Sequence, residues 1–126
     1  MNVRDRPHMI SVRMDHDDRL VAAVGGAARY LADVAGLDND VILQFQDSVV
    51  SACRFCFQCH GSAESCAIIL RRSEDRIEVE VSLDGAQPPP SEKPLWRGID
   101  EVYCEAGQNT SMLRLTKFVS PGHPVE

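Results

Sequence analysis

The residues best equipped for chemistry are four cysteines packed into the stretch CRFCFQCHGSAESC (53–66). Three chemistries fit those letters. In a c-type haem site Cys56 and Cys59 form thioethers and His60 is the axial ligand. In a zinc or iron–sulfur site Cys53, Cys56, Cys59 and Cys66 supply thiolates at ligand-like spacing. In the third reading the thiols are small apolar groups in a core, since free cysteine is among the most buried residue types. Haem attachment needs an exported compartment, a distal ligand and an apolar crevice. Metal thiolates need a loop or knuckle that lets the sulfurs converge. Here a period of 3.6 runs straight through the cluster, so Cys53 and Cys56 share a helix face and Cys66 falls on the next strand. The core reading is preferred, with Cys53, Cys56, Cys59 and Cys66 kept as the fallback metal set.

Those residues must be positioned by a chain of 126 residues, enough for one domain with a real core. The expected division is a tail over 1–8, a domain over 9–119 and a tail over 120–126. A net charge of −6 argues against direct nucleic-acid binding and against anionic membranes, both of which reward basic surfaces. No apolar run approaches the ~20 residues needed to span a bilayer. The N-terminal stretch MNVRDRPHMISVRMDHDD lacks the apolar segment of a secretory signal. A cytoplasmic location is therefore expected, where cysteines stay reduced.

The apolar pattern sets the elements. In MISVRMD (9–15) Ile10, Val12 and Met14 alternate with polar residues, which predicts a half-buried strand. Asp17 and Asp18 can cap a helix whose apolar positions are Leu20, Val21, Val24, Ala27, Ala28, Leu31 and Val34, closed by Gly36. The pair Gly25-Gly26 inside it predicts either a close backbone contact or a weak middle. A second helix starts at Asp38 or Asn39 and runs to Gly61, with Ile42, Phe45, Val49, Cys53, Cys56 and Phe57 as its apolar stripe. Strands at 66–72 and 76–85 form a hairpin about Ser73-Glu74-Asp75. AQPPPSEKP cannot be regular, because proline lacks the N–H that regular structure uses. LWRG leaves room for one helical turn at most. DEVYCEA and TSMLRLTKFV form another hairpin about Gly107-Gln108-Asn109. The fold class expected is α+β: a two-layer sandwich of a mixed, mostly antiparallel sheet with two main helices on one face.

This order, with three local stretches, resembles the anti-sigma-factor serine-kinase branch of the GHKL (Bergerat-fold) ATPases. EDRIEVEVSLDG (74–85) is similar to the hairpin leading into that family's G1 box, GIDEVYCEA (98–106) to the strand after its nucleotide lid, and SMLRLTKFV (111–119) to its closing strand. The resemblance spans about 9–119 and rests on order and spacing.

The family's chemistry requires Glu-x-x-x-Asn on the second helix, a carboxylate that orients the attacking group and an amide that holds Mg²⁺. The best register here puts Ser51 and Phe55 at those positions, with Asp47 one turn earlier, and Phe55 cannot ligate a cation. The G1 aspartate position falls on Leu83, with Asp84 and Gly85 beside it. The glycine-rich lid is reduced to Gly98. The resemblance therefore implies a degenerate site with no catalytic residues and no cofactor. The implied function is non-catalytic regulation by protein–protein binding in partner switching. The partner is a sigma factor, an anti-anti-sigma factor or a related kinase, and a homodimer is also allowed. The family's first strand and helix carry such contacts, which singles out Arg19, Arg29 and Tyr30. Trp96 would either plug the vacated cleft or anchor a partner. One alternative is an ATP-dependent serine kinase that binds ATP and Mg²⁺ through Asp47, Ser51, Asp84, Gly85 and Gly98. A second is a cysteine-based metal or redox sensor.

Overall fold

The computed structural model describes residues 8–15, 18–59, 65–84, 96–106 and 110–119. Its elements are β1 (His8–Asp15), α1 (Asp18–Val34), α2 (Asn39–Cys59), β2 (Ser65–Arg72), β3 (Arg76–Asp84), β4 (Glu101–Ala106) and β5 (Thr110–Phe118). The strands form one sheet in the order β1-β2-β3-β5-β4. Every pairing among them is antiparallel, so the sheet is simpler than the mixed one expected. Both helices pack on one face, α1 over β1, β2 and β3, and α2 over β3 and β5. The layered α+β architecture is the one that the alternating and 3.6-residue periods require.

Strict alternation sends Ile77, Val79, Val81 and Leu83 of β3 toward the helices, where all four are buried. Ile68 and Leu70 of β2 and Leu113 and Leu115 of β5 join them. Val21, Val24, Ala28, Leu31 and Ala32 close the core from α1, and Ile42, Phe45, Val49, Ala52, Cys53 and Cys56 from α2. At about 25 cal/mol per Å² of apolar surface removed from water, this shared layer is the main force holding helices to sheet.

Two residues expected on the inner stripe of α1 lie outside it. Leu20 is 40% exposed and Val34 is 39% exposed. The buried stripe centres on Val21, Val24, Ala28 and Leu31, and both residues sit at its margin, where the sheet no longer covers them. The exit from α1 follows a known stop. The Leu37 N–H donates to the Ala32 carbonyl at 3.2 Å and the Gly36 N–H to the Asp33 carbonyl at 3.0 Å, with Gly36 at φ 82°. That is a Schellman closure, in which a left-handed residue satisfies carbonyls the helix leaves open. The second helix starts at the expected cap, where the Ile42 N–H donates to the Asp38 carbonyl at 2.9 Å.

Gly25 explains how the two helices meet. A Cβ placed there would stand 2.6 Å from Val50 Cγ2, whereas one on Gly26 meets nothing within 4 Å. Gly25 is thus the close contact of the pair, and Gly26 contributes only backbone freedom.

The sheet face away from the helices is polar and cross-linked. Register places Ser11, Ile69, Glu80, Arg114 and Tyr103 in one row across all five strands. Glu80 lies 3.8 Å from Arg71 Nη1 and 3.5 Å from Arg114 Nε, and the Arg114 guanidinium lies 5.5 Å from the centre of the Tyr103 ring. These cross-strand pairs fix the register by side-chain contact as well as by backbone hydrogen bonds.

Candidate functional site

Helical geometry places Gln44, Ser48, Ser51 and Phe55 on one face of α2, at spacings of four, three and four. On that face the resemblance puts a carboxylate and an amide. The structure lays the segment Trp96–Gly98 across it. The Phe55 and Trp96 rings meet edge to face, with centroids 5.7 Å apart and planes at 73°. The Ser48 hydroxyl, buried, donates to the Arg97 carbonyl. Gly98, at φ 79°, lies so close that a Cβ would stand 3.3 Å from Gln44 Cβ and 3.4 Å from the Phe45 nitrogen. A side chain there would be strained by the left-handed backbone and would sit in tight contact with α2, so glycine is favoured. This strap is an aromatic contact, a hydroxyl–carbonyl bond and a backbone contact in sequence.

Its far end is tied to β5. The Asp100 N–H donates to the Thr116 carbonyl at 2.8 Å, and Asp100 Oδ2 accepts the Phe118 N–H at 2.6 Å. The same oxygen lies 3.6 Å from Lys117 Nζ. The strap therefore bridges α2 and the β4–β5 end of the sheet. Chemically the face now offers one hydroxyl already bonded, one exposed hydroxyl at Ser51 and an exposed carboxylate at Asp47. Asp47 and Ser51 are placed near one another by the helix. The side chain of Asp84, and Gly85 altogether, lie outside the described residues. Of the nucleotide-site candidates the structure thus relates Asp47 and Ser51 to Gly98 through α2.

The cysteines divide in the same way. Cys53, Cys56 and Cys66 are buried in the core and form no disulfide among the described residues, while Cys104 of β4 is half-buried against it. Burial pushes the Cys53 thiol up to about 12, and the neighbouring Cys66 adds to the rise. Burial also raises Cys66, opposed by the Arg13 charge. A thiol held protonated is a poor nucleophile and a poor ligand, which fits their apolar surroundings. Among the described residues no group of three or more His, Cys, Asp or Glu is placed to hold a metal ion. The side chain of Cys59, and His60, lie outside the described residues.

The partner candidates are split. Arg19, Arg29 and Tyr30 are exposed on α1, Tyr30 at 55%, whereas Trp96 is half-buried on the α2 side of the molecule. Around Tyr30 the helix carries a stripe of which Leu20, Ala27 and Val34 were expected in the core. Leu20, Ala23, Ala27, Tyr30 and Val34 follow each other at three and four residues, about half a turn from Gly25. Since Gly25 faces α2, the stripe faces the opposite flank of the helix, on the side of β1. Ser48 and Asp100 were also missed. Ser48 could have been found from its phase with Gln44 and Phe55, whereas nothing local marks Asp100 as an anchor.

The fold and the strapped helix face define a two-layer α+β domain, a five-stranded antiparallel sheet with two helices on one face. No family model matches the sequence, and no curated protein matches it. Among solved structures the chain is similar to the RsbU and RsbW domains of a Mycobacterium tuberculosis protein, with a TM-score of 0.66 and 16% identity over 94% of this chain. The match covers 34% of that protein's chain, so this chain spans about a third of its length. In the described residues no helix is long and apolar enough to cross a membrane.

Proposed function

We propose that this protein is a non-catalytic regulator of the anti-sigma-factor kind, acting by partner switching through protein–protein contact. The observation that carries the reading is the Phe55–Trp96 contact on α2. In the resembling kinases that face presents the groups that orient the reacting atoms and hold Mg²⁺. Here it presents Ser51 and Phe55 and is crossed by the strap. A hydrocarbon ring offers a divalent cation no oxygen, and Mg²⁺ accepts little else. The likeness to a structure with an RsbW domain supports a binding module of this architecture.

The partner surface in this reading is the free flank of α1 with β1 beside it. Arg19 and Tyr30 provide residue types enriched at interface hot spots, and Leu20, Ala27 and Val34 provide the apolar area, whereas Arg29, one turn from Gly25, lies toward the α2 side of the helix. A sigma factor, its antagonist, a related kinase or a second copy of the chain would each meet this flank.

Two measurements test the proposal. Titration with Mg-ATP by calorimetry is expected to give no binding below millimolar concentration, and micromolar binding would overturn the non-catalytic reading in favour of a divergent kinase using Asp47 and Ser51. Purification of the tagged chain from its native cells is expected to retain a sigma factor or one of its regulators. The double variant Leu20→Asp, Tyr30→Ala should release that partner by at least tenfold while the melting temperature holds. A partner retained unchanged by the variant places the contact elsewhere.

A further inference from the structure

We draw no further inference here: the strongest candidate, the buried Cys53 and Cys66 thiols between α2 and β2, carries no redox switch because no Cα of α2 comes within 8 Å of one in β2 among the described residues, beyond the ~7 Å a disulfide spans.

Discussion

At the scale of single residues, burial has turned a chemically suggestive cluster into packing. Cys53 is fully buried and its thiol is pushed up to about 12 from an ordinary 9.0. A group whose folded value is raised contributes stability that is complete below the unfolded value and lost as pH rises through the folded one. Stability should therefore fall as pH climbs from about 9 to about 12. In Cys53→Ala that part of the decline should flatten, as read by urea unfolding across the range. An unchanged alkaline slope in the variant would mean that other groups cause the loss. Trp96 makes a second residue-scale prediction. Trp→Ala in a full core costs about 3–5 kcal/mol, and half-burial scales Trp96→Ala to about 2 kcal/mol. Because it is the only tryptophan, its fluorescence also reports whether the strap stays on Phe55 in the native protein.

At the scale of elements, the packing of α1 on α2 turns on adjacent glycines with opposite demands. At Gly25 an added methyl meets Val50 Cγ2, so Gly25→Ala must move a helix or a side chain and should cost about 1–3 kcal/mol. At Gly26 the space is open, so Gly26→Ala should stabilise by up to about 1 kcal/mol through helix propensity. Denaturant midpoints of the two variants moving in the same direction would contradict this packing. The strap follows the same logic, since Gly98 is the position where backbone meets α2. Its anchor, Asp100, holds the Phe118 N–H and the Lys117 ammonium together, which ties the path of the strap to the end of β5.

At the scale of the whole molecule, the two faces of the sheet do different work. One is sealed by α1 and α2, and the other carries the Arg71, Glu80, Arg114 and Tyr103 ladder. Partly exposed ion pairs contribute little each, so this ladder is better understood as fixing register than as a large source of stability. Of the apolar surface left over, Leu20, Tyr30 and Val34 are exposed together on the flank of α1, while Met9, Leu43, Tyr103 and Phe118 are exposed elsewhere. Exposed hydrophobics in one stripe mark a contact surface more often than scattered ones do. That is why the partner-release experiment is directed there.

How much was legible beforehand follows from the range of the forces involved. Alternation in RIEVEVSLD and the 3.6-residue repeat of α2 placed the strands, the helices and the buried cysteines, because each side of an element is decided by near neighbours in the chain. Gly36 announced its own left-handed stop for the same reason. Other features depended on residues distant in sequence. Leu20 and Val34 repeat in phase with the core, and only the width of the sheet beneath α1 decided that they face outward. Ser48 finds its acceptor 49 positions away, and Trp96 finds Phe55 across the interval containing β2 and β3. Local periodicity is a one-dimensional signal, so it specifies which faces seek burial. Which face is covered, and by what, is settled when the layers meet.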